Sequence, residues 1–303
     1  MNLNKILLST LLTLFILLGM CTPLMASVYD MGGLNKRLIG EPKRHTIVKG
    51  DSFQQIAEQY DVGFLALLAA NPKHAPSLLK IGAEIIIPNQ MILPFITRTG
   101  IVINLPELRL YYFSPEENKV HVFPVGIGRQ GLSTPLTSTV ISEKRKDPIW
   151  RPTQEMQDRH FAEHGKYLAK EVAAGPNNPF GKYALRLGTS EYLIHGSNKR
   201  FGIGMRASSG CIRLYDDDIK WLYDNVPVNT GVRVVNQPVK MSYENGDKQL
   251  IEIHQPLTDI EETQGNVIVT KAMQRFVGTD REYWRQLLPI IEKPQGLVIE
   301  LMK

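Results

Sequence analysis

Apolar residues crowd the start of the chain and then settle into periodic patterns. Ile6 to Met20 is an apolar-rich run behind a single charge, Lys5, and a small residue, Ala26, follows it. That is the pattern of a secretory leader, residues 1–26, cut after "LMA". The run is short for a membrane span, and an uncleaved N-terminal anchor is the alternative. Residues 27–43, with Gly32, Gly33, Gly40 and Pro42, read as a linker or an edge segment. From His45 the pattern becomes regular. A short strand (45–48) leads to a turn at Gly50-Asp51-Ser52, where Asp51 or Ser52 is positioned to cap a helix. Phe53, Ile56, Ala57 and Tyr60 then recur at helical spacing. A second helix over about 64–70 stops at Asn71-Pro72, and the β-branched Ile85-Ile86-Ile87 closes a βααβ unit, residues 44–90.

Beyond Ile101 the period shifts toward two. "GIVINLPELRLYYF" reads as a hairpin broken at Pro106-Glu107. "KVHVFPVGIG", "STVISEK", "YALRLG", "EYLIHG" and "TGVRVVN" read as further strands. Residues 145–180 are rich in Pro, Gly and Asn and read as a long loop of functional type. "YDDDIKWLYDNV" reads as a helix capped by Asp216, with Ile219, Leu222 and Tyr223 as its apolar face. The body over 97–236 is thus strand-dominated with one clear helix. In residues 237–303, Asn245-Gly246 between alternating runs signals a hairpin. "DREYWRQLLPIIEK" reads as helical to Leu288, limited by Pro289.

Composition adds little to this picture. A hydrophobic share of 43% suits an ordinary globular core, and the formal net charge of +5 is mild. No basic run is interleaved with aromatics, which argues against nucleic acid. Cysteine usage changes the picture more. Removing residues 1–26 takes away Cys21 and leaves Cys211 as the one thiol. Exported proteins usually pair their thiols, so an unpaired one points to a reactive group.

Cysteine is a nucleophile only as thiolate and needs a base or a positive setting. Of the seven histidines, only His195 has a favourable context, at the end of the strand "EYLIHG" and sixteen residues before Cys211. A strand-end histidine and a turn cysteine make a Cys/His nucleophile pair. The turn "SSGC" offers the amides of Ser209, Gly210 and Cys211 as an oxyanion hole. The other histidines (45, 74, 121, 160, 164 and 254) read as surface residues, and Asp216-Asp217-Asp218 as an acidic helix start rather than a metal site. Trp150 and Tyr183 read equally well as groove lining or as core.

Two resemblances sharpen this reading. "IVKGDSFQQIAEQYDV", "LLAANP" and "IGAEIIIP" resemble the LysM module, a small glycan-binding domain of cell walls. "HGSNKRFGIGMRASSGCIRL" resembles the signature of L,D-transpeptidases with a YkuD-type catalytic domain: His195, Gly196, Ser208, Gly210 and Cys211 at the family's spacing. The nearest branch resembles the periplasmic enzymes that attach a Braun-type lipoprotein to peptidoglycan. One departure is Thr137, which stands where many relatives carry the glycine of Thr-Pro-x-Gly.

The resemblance implies a mainly β catalytic domain, a YkuD-like β-sandwich with a short helix, beside an α+β LysM domain and a small mixed C-terminal region. It implies that Cys211 attacks the diaminopimelate carbonyl of a tetrapeptide stem, expels D-alanine and forms a thioester. The acceptor amine is a lipoprotein lysine or another stem, and His195 moves the proton. A carbonyl at Gly196 or Ser197 orients the histidine. Arg213 and Ser208 are candidates for binding substrate, Arg213 alternatively for bracing the loop. No metal or other cofactor is implied. A hydrolase of the same fold that releases lipoprotein, a non-catalytic wall-binding scaffold and a papain-like peptidase are the alternatives.

Overall fold

A computed structural model describes residues 27–33, 36–245, 248–259 and 265–302. The expected leader, residues 1–26, and Gly246 of the expected Asn245-Gly246 turn lie outside the described residues. Among the described residues, no helix is long and apolar enough to cross a membrane.

Two short strands, β1 (Ser27–Asp30) and β2 (Leu38–Ile39), open the described chain. A small unit follows: β3 (Lys43–Thr46), α1 (Phe53–Gln59), α2 (Phe64–Ala70) and β4 (Glu84–Ile87). Ser52 caps α1 by accepting from the Gln55 amide at 3.2 Å, while Asp51 holds His45 at 2.8 Å. Phe53, Ile56, Ala57, Leu67, Ile85 and Ile87 close a core of their own. Asn71 replaces a missing ladder: its side chain bonds the backbone of Leu67 and Ile86, which ties the end of α2 to β4.

β5 (Met91–Ile92) pairs with β2 and leads into the main body. That body holds β6 (Gly100–Asn104), β7 (Arg109–Ser114), β8 (Lys119–Pro124), β9 (Ile127–Gly128), β10 (Thr137–Lys146), α3 (Gln154–His164), β11 (Tyr183–Leu187), β12 (Leu193–His195), β13 (Arg206–Ser208), β14 (Ile212–Arg213), α4 (Asp216–Asn225) and β15 (Gly231–Val235). Nine strands form one sheet in the order β1-β8-β7-β6-β15-β10-β11-β12-β14. The molecule is therefore mostly β. Period-2 alternation divides the central strands between two cores. Ile101, Ile103 and Leu110 join the larger cluster with Ile194, Ile212 and Leu222. Val102, Tyr111 and Phe113 point the other way, against Met91 and Leu93.

Four sequence expectations need correction here. The 145–180 segment is not all loop, because it contains α3, capped by Thr153 and stopped at Gly165. This helix buries none of its residues, so no apolar period announces it. Asp216 is the first residue of α4 rather than its cap; Tyr215 holds the cap position, and Asp216 instead accepts from the Ser197 amide at 3.3 Å. His121 and His254 are buried: His121 packs on Trp221, with ring centres 4.2 Å apart, and His254 belongs to a buried ionic cluster. The fourth correction concerns the C-terminal helix.

The C-terminal region forms β16 (Val239–Glu244), β17 (Lys248–Ile253), α5 (Lys271–Val277), α6 (Arg281–Glu292) and β18 (Val298–Glu300). Pro289 does not end α6, which runs on to Glu292. Ile290 and Ile291 pack on the core around Leu287 and Ile253, and that burial outweighs the single backbone bond proline cannot make.

An ionic cluster joins the three regions. Lys240 contacts Glu107 at 2.7 Å and Glu252 at 2.9 Å; Arg109 contacts the same two carboxylates at 3.1 and 3.2 Å. His254 adds a 2.6 Å contact to Glu252. Backbone groups of the connector complete the set: Arg109 donates to Pro88 O, Lys240 to Ile92 O, and Ile92 N to Glu252. Glu107, Glu252 and His254 have the donor types of a metal site, but Lys240 and Arg109 already supply the cations.

Candidate active site

The site grows out of two short parallel strands. β12 and β14 pair with Ile194 opposite Ile212 and His195 opposite Arg213. Because side chains alternate, Ile194 and Ile212 fix the core face. His195 and Arg213 must then face away from that core, and Cys211, two residues before Arg213, shares their face. All three line a cavity of about 560 Å³ with Ser208, Ser209, Trp150 and Arg159. Tyr183 does not line it and packs on Tyr223, ring centres 4.8 Å apart.

His195 is buried, and its Nδ1 lies 2.6 Å from Gly196 O. A carbonyl only accepts, so Nδ1 carries the proton and Nε2 is left as the basic lone pair. Phe180 meets the ring edge-on at 4.8 Å. Burial, reinforced by the Arg213 charge, pushes the imidazole down to about 3. Burial pushes the Cys211 thiol up, opposed by the Leu193 amide and by Arg213. Both shifts favour the uncharged forms of the thiol and the imidazole, which line one cavity.

The turn that presents the thiol is strongly braced. Ser208 Oγ donates to Cys211 O at 2.5 Å and accepts from the Gly210 amide at 3.1 Å. Ser208 is 2% exposed and holds the turn by these two bonds, and the Gly210 N–H is committed to the turn as well. This corrects the expectation that the Gly210 amide serves as an oxyanion donor. Thr134 Oγ1 donates to Gly210 O at 2.8 Å and accepts from Gly128 N at 3.0 Å. Gly210 adopts φ +107°, and a Cβ there would lie 2.7 Å from the Tyr192 ring. Arg213 Nη1 donates to Ala207 O at 3.3 Å, while its Nε is buried without a partner among the described residues. Ser197 turns inward: its Oγ donates to Lys199 O and accepts from Lys199 N.

Several residues here carry no signal in the sequence pattern. Arg159 of α3 donates to Ser209 Oγ at 3.4 Å and lines the cavity with Met156, His160 and Glu163. Only the spacing of these residues at three or four along a capped helix (Thr153, then Gly165) could have pointed to a shared face. Thr134 precedes the proline of the Thr-Pro pair noted above, and its bonds to Gly128 and Gly210 are visible only in three dimensions.

Comparison with known proteins adds independent findings. The YkuD family model, described as the L,D-transpeptidase catalytic domain, matches residues 98–240. The L,D-transpeptidase C-terminal domain model matches 238–300, and the LysM domain model matches 45–88. The probable L,D-transpeptidase YcfS of Escherichia coli strain K12 is 41% identical over 292 residues, 93% of this chain and 91% of that protein. The probable L,D-transpeptidase ErfK/SrfK of the same strain is 43% identical over 237 residues, 77% of this chain and 76% of that one. The probable L,D-transpeptidase YbiS of that strain is 40% identical over 272 residues, covering 87% and 88%.

Proposed function

Because this chain belongs to the L,D-transpeptidase family, we propose that it remodels peptidoglycan through a thioester on Cys211. The observation that carries the reading is the pairing of β12 with β14. It supports one working face on which the thiol, the imidazole Nε2 and the Arg213 cation meet in a single cavity.

The chemistry follows from the protonation states. As Cys211 Sγ attacks the carbonyl carbon of diaminopimelate in a tetrapeptide stem, the thiol proton passes to His195 Nε2. The proton moves during attack, because the neutral pair holds no preformed thiolate. The developing oxyanion is stabilised by amides of the Ser209–Cys211 turn other than Gly210, which Ser208 occupies. Collapse breaks the bond to D-alanine, and His195 returns the proton to the leaving amine. An acceptor amine then attacks the thioester, gives its proton to His195 and restores the thiol. The net reaction exchanges one amide for another and consumes no cofactor. Arg213, which lines the cavity, offers its guanidinium charge to a stem carboxylate. The acceptor is the lysine of a lipoprotein or the diaminopimelate of another stem. The LysM unit holds the glycan, and the enzyme works in the periplasm after removal of residues 1–26.

Incubating the purified protein with tetrapeptide muropeptides and weighing the products tests this reading. Loss of D-alanine with formation of a 3→3 dimer or a lysine conjugate is expected, and Cys211→Ala should form neither. Release of tripeptide stems or of free lipoprotein without transfer would assign the hydrolase activity instead. A carbapenem should add one adduct mass, on Cys211.

A further inference from the structure

Ser27 opens β1, and its backbone N–H donates to Asp61 Oδ2 at 3.0 Å. Asp61 stands in the turn between α1 and α2 with φ +53°, a conformation uncommon for a residue with a side chain. Its second oxygen, Oδ1, is buried without a hydrogen-bond partner among the described residues. Asp218, 1% exposed on α4, is close enough for the two carboxyls to repel one another, and its Oδ2 is likewise buried and unpartnered. The Tyr215 hydroxyl and the Gln54 amide nitrogen, buried beside them, act on one another.

The charges do not balance. Asp61, Asp217 and Asp218 act on this site. The cation acting on Asp218 and Tyr215 is Arg200, which already pairs with Glu58 and lies 5.5 Å over the Tyr215 ring. Burial accordingly pushes the Asp61 carboxyl up to about 7 and Asp218 well up. Two neighbouring acids, each with an orphan carboxylate oxygen and one of them fully buried, favour a cation. The neutral donors of Ser27, its backbone N–H and its side chain, act on Asp61 but are outweighed there by burial.

The leader pattern in the sequence ends at Ala26, immediately before the residue that reaches this site. Hydrolysis of the Ala26–Ser27 bond by a leader peptidase adds water across it. The product is a carboxylate on Ala26 and an ammonium with three donors on Ser27. We propose that Asp61 and Asp218 form a receptor for the chain's own processed amino terminus, whose α-ammonium ion-pairs with them once residues 1–26 are removed. The pair fastens β1, at the edge of the nine-stranded sheet, to the turn of the small unit and to the helix that follows the catalytic strand. The proposal rests on the export reading above.

Three measurements test it. Mass spectrometry of protein exported from the full-length chain should show Ser27 as its first residue. A chain that retains residues 1–26, or starts elsewhere, overturns the proposal and the cleavage reading together. Next, a chain beginning at Ser27 is melted beside one carrying three extra glycines before Ser27, from pH 6 to 10.5. An ammonium that gains a partner has a raised folded-state pKa, so its contribution is present below about 8 and is lost as pH rises through the raised value. The Ser27-start chain should melt higher at pH 7, and the gap should close toward pH 10.5. Equal melting at every pH overturns the proposal and leaves the export reading standing. Finally, amine-selective acylation of the Ser27 terminus at pH 7 should be at least tenfold slower in the native chain than in Asp61→Asn. Equal rates would overturn the pairing even if Asp61→Asn is destabilised, because the native rate would then match an unshielded terminus.

Discussion

A thiol whose pKa is raised, beside an imidazole held at about 3, behaves differently from a thiolate–imidazolium pair. An ion pair would give Cys211 a plateau of reactivity across neutral pH. The neutral pair predicts none. Iodoacetamide alkylation of Cys211 should rise about tenfold per pH unit from pH 6 to 9, as the thiolate fraction does below its pKa. A flat profile between pH 6 and 8 would show that the pair is already ionised. Gly210 makes a second residue-scale prediction. Its φ of +107° and the Tyr192 ring 2.7 Å from a notional Cβ leave no room for a side chain. Gly210→Ala should lower transpeptidation on the order of 100-fold, comparable to losing an oxyanion donor, because the turn that presents the thiol must move. Muropeptide turnover beside a thermal melt separates that loss from unfolding.

At the scale of elements, the small βααβ unit and the strands of the body were readable because each buries one regular face. Phe53, Ile56 and Ala57 repeat at helical spacing, and Ile101, Val102 and Ile103 sit where a strand is covered on both sides. Cys211 and His195 were readable as a pair because "EYLIHG" ends a strand and "SSGC" makes a turn. α3 was not readable: it rests on the rim of the cavity, buries no residue, and owes its limits to Thr153 and Gly165. Arg159, which reaches Ser209 from this helix, was hidden with it. Since α3 contributes nothing to a core, Arg159→Ala should leave stability within about 0.5 kcal/mol of the native chain. Its effect should appear as a several-fold rise in KM for muropeptide, and an unchanged KM would remove α3 from substrate binding.

For the whole molecule, the least legible feature is the ionic cluster, since Glu107, Arg109, Lys240, Glu252 and His254 are scattered over distant segments and no spacing marks their contact. Lys240→Ala would leave two buried carboxylates sharing Arg109. The cost expected for breaking a buried pair is about 3–5 kcal/mol, measurable by chemical denaturation. The nearby cations hold the Glu107 and Glu252 carboxyls below the usual carboxylate range. Depressed carboxyls stabilise above their unfolded pKa of about 4.3 and lose that contribution as pH falls further. The native chain should therefore weaken steeply below about pH 4, and Glu252→Gln should blunt that acid transition.

The small unit also meets the body at points where backbone lies directly on backbone. Leu65 N donates to Gly204 O at 3.1 Å, and a Cβ on Gly204 would lie 2.3 Å from the Cα of Gly63. Arg200 and Glu58 tie the same seam. Backbone set directly on backbone leaves no side chain to give way at these points. On the proposed reading such a seam makes the small unit a ruler: the thiol would meet stems at a set offset from the glycan strand that the unit holds.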